Sequence, residues 1–151
     1  MKDYIFILGL GSMGKRRVRN LKSLGINNIV GFDLREDRRI EASEEYGIDV
    51  VSDYEDALAN YEFEAFIISV PPDIHHIYMM KALDLSVPCF VEASVLDTEF
   101  EKLIVRSKKT KLLIAPSCTL FFHPAIRKIE KIIKDGELGI VSNFLYHSGQ
   151  Y

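Results

Sequence analysis

The sequence predicts an α/β fold, a doubly wound parallel sheet with helices on both faces, followed by the beginning of a second α/β domain. Short runs rich in Val, Ile and Phe alternate with stretches of helical periodicity, which is the pattern of consecutive βαβ units. Turn-forming residues bound these runs. A glycine-rich segment, Gly9–Gly14, joins the first run to the first helical stretch, as expected for the first turn of such a sheet.

Six strands are predicted, each as a short apolar run of the kind that is buried in a parallel sheet. They are Tyr4–Leu8, Asn28–Phe32, Asp49–Val51, Ala65–Ser69, Cys89–Val91 and Lys111–Ala115. The first run ends in glycines rather than in a cleavage site of small residues, so it is interpreted as a strand and not as a signal peptide.

Helices are predicted between these strands. The first covers Ser12–Leu24 and the second covers Asp37–Tyr46, and each is followed by a glycine that can adopt the left-handed conformation of a helix end. The fourth runs from about Ile74 to Leu85, because apolar residues recur at helical spacing after the two prolines that end the fourth strand.

Two further helix starts are predicted from capping boxes, in which a side chain at each end of the first turn bonds to a backbone N–H of the other. Ser52 with Glu55 predicts the third helix, and Thr98 with Glu101 predicts the fifth.

The composition is that of one ordinary domain with a slightly acidic charge. The 151 residues are 48% hydrophobic, enough to bury a core, and their formal net charge is −3. Neither a nucleic-acid-binding surface nor a membrane span is expected, because the chain is not basic and has no apolar stretch of about 20 residues. Its two cysteines lack metal-ligand spacing, so we expect no metal site and a reducing, cytoplasmic location.

The glycine-rich segment predicts a binding site for a dinucleotide. It reads Gly9-Leu10-Gly11-Ser12-Met13-Gly14 and fits the pattern G-x-G-x-x-G between a strand and a helix. In that pattern the first glycine allows a tight turn, the second lets a pyrophosphate approach the backbone, and the third packs the helix on the strand. The free N–H groups at the helix start, including those of Ser12 and Met13, would hold the anion.

The end of the second strand adds a preference for NAD. Asp33 lies 19 residues after the last glycine, close to the spacing of about 20 at which an acidic side chain meets the ribose hydroxyls. NADP stays open, because Arg16 or Arg35 could meet a 2′-phosphate. Four basic residues near the start of the first helix, Lys15, Arg16, Arg17 and Arg19, oppose the helix dipole, and a bound pyrophosphate would relieve that. A solvated charged face is the simpler alternative.

Several segments in order resemble the Gfo/Idh/MocA oxidoreductases. Besides the glycine turn, residues 69–75 resemble the family's T-P-P-x-x-H loop, and Phe90-Val91-Glu92 resembles the start of its E-K-P motif. Phe122-His123-Pro124 and residues 136–139 are similar to its linker helix and the following turn. The resemblance implies an N-terminal NAD- or NADP-binding Rossmann domain and a C-terminal domain that carries substrate contacts. It also implies hydride transfer to or from a sugar or polyol carbon.

The same resemblance implies cofactor contacts at the ends of two central strands. Val70, Pro71 and His75 would flank the cofactor after the fourth strand, and Glu92 would lie near the nicotinamide ribose. The alternatives are that His75 caps or packs the fourth helix and that Glu92 is an ordinary carboxylate at a strand end. The next residue, His76, has no counterpart in the family pattern.

One position departs from the family in a way that affects the chemistry. Ala93 stands where the family has the lysine that orients the reacting hydroxyl and handles its proton, and Ser94 stands where it has proline. Alanine cannot exchange a proton, and proton transfer by a positioned side chain typically raises the reaction rate about 10²–10⁴-fold. No residue of the chain is therefore assigned a catalytic role, and the family's other acid–base residues would lie beyond Tyr151.

The last part of the chain predicts the start of a second domain. We expect residues 1–118 to be the dinucleotide-binding domain and 119–151 to hold a linker helix, Pro124–Asp135, and one strand, Ile140–His147. The apolar side of that helix, with the unpaired strand, predicts a homo-oligomer. Packing of the helix on its own sheet is the alternative.

Three functions fit these observations. The first is the cofactor-binding part of an oxidoreductase, able to bind NAD(P) but inactive alone, with a small-molecule substrate only if a full second domain exists. The second is a non-catalytic dinucleotide sensor or scaffold, which the replacement of lysine by Ala93 suggests. The third, a regulatory domain like those attached to ion channels, is disfavoured by residues 119–151.

Overall fold

The computed structural model describes residues 4–94 and 96–147. These fall into two compact units, one ending at Ser117 and the other beginning at Cys118. The first unit contains the sheet and the second is helical.

The first unit is built on one parallel sheet, to which six strands of the described residues belong. They are β1 (Tyr4–Leu8), β2 (Ile29–Phe32), β3 (Asp49–Val51), β4 (Phe63–Ile68), β5 (Cys89–Val91) and β6 (Ile114–Pro116). Their order is β3-β2-β1-β4-β5-β6. After β1 the chain adds β2 and β3 on one side, and it then crosses back to add β4, β5 and β6 on the other side. The topological switch point of the sheet therefore lies between β1 and β4. The predicted doubly wound parallel sheet is confirmed. Ligands of such sheets bind beyond the carboxyl ends of the strands at this switch point.

Helices connect the strands as predicted, and the predicted bounds of the first, second and fourth differ from the observed ones by at most one residue. They are α1 (Ser12–Ser23), α2 (Glu36–Tyr46), α3 (Tyr54–Asn60), α4 (His75–Asp84) and α5 (Phe100–Thr110), with a 3₁₀ turn at Pro72–Ile74 before α4. Gly25 and Gly47 follow α1 and α2 with φ of +80° and +58°, the left-handed conformation expected of them.

Both predicted capping boxes are wrong in detail. At α3 the cap is Asp53, whose carboxylate accepts hydrogen bonds from the N–H groups of Glu55 and Asp56 at 2.7 and 3.1 Å. An acceptor one residue nearer to the helix took the place of Ser52. At α5 the residue before the helix is Glu99, at φ +62°, and no capping bond from Thr98 forms among the described atoms. The chain enters that helix through a left-handed residue, which a capping box does not allow.

The core occupies both faces of the sheet, which explains why the strands are apolar at every position. Phe6 and Leu8 belong to one buried cluster with Phe66 and Ile68. Ile5 and Ile7, the alternate residues of β1, belong to the other cluster, under α1 and α2. The central strands are therefore held from both sides, and their carboxyl ends form a firm base for a site.

The second unit has two helices in its described part, α6 (Thr119–Phe122) and α7 (Pro124–Lys134). His123 caps α7, its Nδ1 accepting the N–H of Ala125 at 3.2 Å. The predicted strand at Ile140–His147 is not formed within the described chain, where these residues have no regular structure. An apolar alternating run becomes a strand only where a neighbour accepts its ladder hydrogen bonds, and the described chain supplies none.

Candidate cofactor-binding site

The glycine turn, residues 9–14, is shaped by how closely backbone packs on backbone. Gly9 has φ +94°, and a Cβ there would lie 2.7 Å from the carbonyl oxygen of Ser69. A Cβ on Gly14 would lie 1.8 Å from the carbonyl oxygen of Gly9. No other residue type fits these two positions, because the contacts are with backbone atoms that cannot move aside. The turn therefore places the start of α1 directly at the end of β1.

Gly11 differs, because no backbone atom lies close to the position of a Cβ there. Within the described chain, a Cβ on Gly11 would approach only the guanidinium of Arg38, at 3.6 Å. Gly11 is the N-cap of α1, and it supplies no side-chain acceptor to the first turn of that helix. The exposed residues Ser12 and Met13 follow, and the first turn holds no acidic residue. This helix start has the free N–H groups and the positive dipole end that bind a phosphate, so the turn fits a dinucleotide.

Asp33 lies next to this turn and is bonded to it. Its side chain is buried, and its Oδ2 accepts the N–H of Leu10 at 2.8 Å while Oδ1 accepts the N–H of Arg35 at 2.9 Å. The Arg38 guanidinium lies 3.3 Å from Oδ2. Asp33 thus ties the end of β2 to the glycine turn and keeps a negative charge at this corner.

Three of the four basic residues near the start of α1 have protein partners. Lys15 pairs with Glu41, and Arg19 donates to the hydroxyl of Tyr46 at 2.9 Å. Arg17 pairs with Glu92, as described below. The charges of Lys15 and Arg17 are thus compensated by carboxylates within the chain, and a pyrophosphate is not needed for these two. The simple alternative of a solvated face is also wrong for Lys15 and Arg17, whose side chains are less than one fifth exposed.

The end of β4 is held by His75. This residue is buried, and its Nε2 lies 2.8 Å from the carbonyl oxygen of Val70. A carbonyl oxygen only accepts, so Nε2 carries the hydrogen. The bond fixes the loop of Val70 and Pro71 on the first turn of α4. On the other side of the ring, Nδ1 is buried without a partner among the described atoms, as is Oγ of Ser69.

Glu92, at the end of β5, is joined to α1. Its two carboxylate oxygens accept from Nε and Nη2 of Arg17 at 2.6 and 2.9 Å. The guanidinium also lies over the ring of Phe90, 4.7 Å from its centre. This bidentate contact links α1, the helix of the glycine turn, to the end of β5. Sequence reasoning placed Arg17 only in a charge cluster and did not consider Arg38, because neither partnership has a signal at short sequence spacing.

A cleft of about 170 Å³ opens beyond the carboxyl ends of β5 and β6. Glu92, Ala93 and Ser94, which follow β5 in the sequence, line this cleft. Two histidines from the start of α4, His75 and His76, line it as well. Its lining is Pro72, His75, His76, Met79, Val91, Glu92, Ala93, Ser94, Leu96, Thr98, Phe100, Pro116 and Ser117. The structure thus brings His75 and Glu92 together at one cleft, while the glycine turn and Asp33 lie at the switch point and the β2 end.

A comparison with known proteins agrees with this arrangement. The profile of the Gfo/Idh/MocA group, described as an oxidoreductase family with an NAD-binding Rossmann fold, matches residues 4–114. The chain belongs to this family. It is therefore an NAD(P)-binding Rossmann domain of the Gfo/Idh/MocA oxidoreductases, as the sequence motifs predicted.

One curated relative and several solved structures are similar to this chain at low identity. The uncharacterized oxidoreductase YrbE of Bacillus subtilis (strain 168) is 26% identical over 138 residues, which are 88% of this chain and 40% of that protein. Myo-inositol 2-dehydrogenase from Lactobacillus plantarum superimposes with a TM-score of 0.81 at 21% identity, over 91% of this chain and 43% of that one. The WlbA dehydrogenase from Bordetella pertussis, in complex with NADH and UDP-GlcNAcA, gives 0.79 at 14% identity, over 90% and 44%. The chain thus spans less than half the length of these proteins.

Two kinds of feature are absent from the described residues, a membrane-spanning helix and a cluster of metal-binding side chains. None of their helices is long and apolar enough to cross a membrane. Residues 4–94 and 96–147 also contain no group of three or more His, Cys, Asp or Glu side chains placed to hold a metal ion.

Proposed function

We propose that this domain binds NAD across the switch point of its sheet and forms the cofactor-binding part of an oxidoreductase. The observation that carries the proposal is the open first turn of α1 at Gly11, which leaves N–H groups directed at a space that a diphosphate would fill. When bound, the cofactor supplies a nicotinamide carbon that accepts or donates a hydride.

The residues of the chain divide the binding among themselves. Gly9, Gly11, Ser12, Met13 and Gly14 would hold the diphosphate through backbone N–H groups, as the turn permits. Asp33 would accept from the adenosine ribose, using the lone pairs that Leu10, Arg35 and Arg38 leave free.

The nicotinamide half would then lie on the other side of the switch point. Val70 and Pro71 would contact it from a loop that His75 keeps in position. Glu92 would lie near the nicotinamide ribose, held there by Arg17. These assignments follow the family motifs and agree with the positions of the four side chains at the strand ends.

We propose NAD rather than NADP as the preferred cofactor. The buried carboxylate of Asp33 would repel a 2′-phosphate at the corner where the adenosine ribose binds. Arg35, one candidate for such a phosphate, is bonded to Asp37 at 3.0 and 2.5 Å, and this contact holds the pKa of Asp37 below its usual range. The other candidate, Arg16, is exposed on α1.

The proposed substrate class is a sugar, a polyol or a related small molecule. This rests on the relatives, which include a myo-inositol dehydrogenase and a dehydrogenase crystallised with UDP-GlcNAcA. The alternative of a non-catalytic sensor or scaffold gains no support from them, since the named relatives are oxidoreductases. Because the chain spans less than half of their length, we propose that it binds cofactor without turning over substrate alone.

The cofactor proposal is tested by titrating the chain with NADH and NADPH, following NADH fluorescence and heat. We expect saturable binding that is at least tenfold tighter for NADH. Gly11→Ala should keep the fold, since its Cβ makes only an ordinary contact with the flexible Arg38 side chain, and lower NADH affinity at least tenfold. A wild-type chain that binds neither dinucleotide at millimolar concentration would contradict the proposal, and tighter binding of NADPH would overturn the preference alone.

A further inference from the structure

The cleft beyond β5 and β6 contains a histidine to which the motifs assign no role. His76, the second residue of α4, lines this cleft together with Glu92 and Ala93. It follows the buried His75 in the sequence but is itself only partly buried. Its ring is therefore accessible to a molecule that enters the cleft.

The proposed cofactor orientation places the reacting half of the molecule on this side. Asp33 marks the adenosine end at β2, and the diphosphate lies at the glycine turn between β1 and β4. The other half must then extend across β4 toward β5, where the cleft lies. A volume of about 170 Å³ admits a ring rather than a whole dinucleotide, since sites for whole ligands measure roughly 300–1,000 Å³.

The other titratable side chains that face the cleft are engaged by protein groups. His75 donates to the carbonyl of Val70, and its remaining nitrogen is buried. Glu92 accepts both of its hydrogen bonds from Arg17. His76 has neither a hydrogen bond nor an ion pair with any described residue, so both ring nitrogens are available. Ala93, at the β5 end of the same cleft, has no proton to exchange.

We propose that His76 is the proton-exchanging residue of this cleft, an inference that rests on the proposed cofactor site. In alcohol oxidation the O–H proton of the substrate passes to a ring nitrogen of His76. The carbinol hydrogen would leave with the C–H electron pair as a hydride, for which a bound oxidised nicotinamide would be the acceptor, so the alcohol would become a carbonyl and the cofactor would be reduced. In the reverse direction the imidazolium returns the proton to the carbonyl oxygen. Imidazole is suited to both steps at neutral pH.

The test is histidine and amide NMR on the chain, with His76→Gln used to assign the ring signal. NAD⁺ should move the amide signals of Gly11 and Met13 and the ring signals of His76. ADP-ribose, which lacks the nicotinamide, should move the amides and leave His76 unchanged. The titration midpoint of His76 should be lower with NAD⁺ than with NADH, because the oxidised ring is positively charged. His123, in the second unit, serves as the control ring.

The outcomes separate the two proposals. If the amides of the glycine turn respond but His76 does not, or if ADP-ribose moves His76 equally, the role of His76 is overturned and the cofactor site stands. An equal titration midpoint with both redox forms also overturns it. If the amides do not respond to NAD⁺, the cofactor site itself is wrong, and the inference fails with it.

Discussion

The two sides of the switch point differ in what forms them, which is backbone at the glycine turn and side chains at the cleft. At the glycine turn, backbone meets backbone, and a single methyl group on Gly14 would collide with the carbonyl of Gly9. At the cleft, side chains line an open volume, and Ala93 is exposed within it. A diphosphate is the same in every dinucleotide and suits a fixed backbone cradle, whereas substrates vary and need side chains that can be exchanged. The first side therefore keeps the family pattern, and the second departs from it.

The largest effect is expected from Gly14→Ala. Its Cβ would lie 1.8 Å from the carbonyl oxygen of Gly9, so α1 must move away from β1. We expect a loss of about 3 kcal/mol in the free energy of unfolding, at the upper end of overpacking costs. Gly25→Ala is the matched control, since it has open space and costs only the strain of positive φ, about 1 kcal/mol. Urea unfolding followed by circular dichroism measures both, and equal losses would show that the turn is not tightly packed.

The next effect concerns the ion pair that joins the two sides. Arg17→Met keeps an unbranched apolar side chain but leaves the carboxylate of Glu92, about one eighth exposed, without its partner. We expect a loss of about 2 kcal/mol, below the cost of a fully buried pair. Arg17→Lys should lose roughly half of that free energy, because lysine keeps the positive charge but cannot make the bidentate contact. An unchanged urea midpoint in Arg17→Met would mean that water replaces the arginine.

A smaller effect is expected from Ala93→Lys, although it adds four heavy atoms and a charge. Residue 93 is exposed at the cleft, so the new side chain can extend into open volume. We expect the free energy of unfolding to change by less than about 0.5 kcal/mol, as for other exposed positions. Thermal unfolding of the variant beside Gly14→Ala gives a direct comparison. A large loss in Ala93→Lys would show that the cleft is as tightly packed as the turn.

The smallest signal is the thiol reactivity of Cys89, the first residue of β5. Burial raises the pKa of this thiol to about 11, so it stays protonated and unreactive at pH 8. In a Cys118→Ser background, labelling with Ellman's reagent should proceed only at the rate of unfolding. Cys89→Ser, which leaves the exposed Cys118, is the control for ordinary reactivity. Fast labelling of Cys89 would reveal local opening of the strand beneath the cleft.

The same pKa gives a sign for the pH dependence of stability. In the folded chain the neutral thiol is favoured, so the contribution of Cys89 is fully present below the usual cysteine range near 9. It is lost as the pH rises from there through about 11. Cys89→Ala should flatten the decline of the free energy of unfolding over this interval, measured against wild type by urea unfolding at each pH.

The sequence alone determined the sheet, the glycine turn and the family. Each depends on local information: apolar runs of strand length, glycines at fixed spacing, and motifs a few residues long. The helix ends at Gly25 and Gly47 were predictable for the same reason, because left-handed backbone favours glycine whatever surrounds it.

Only the tertiary structure decided how the site residues are held. Asp33 bonds to Leu10 across 23 residues and Arg17 bonds to Glu92 across 75, and no short-range pattern records such partners. At Ile140–His147 the sequence pattern predicted a strand that the described chain does not form, since no neighbouring strand is there to accept its ladder hydrogen bonds. Strand pairing and ion pairing are contacts between distant parts of a chain, so their free energy depends on the fold that brings those parts together.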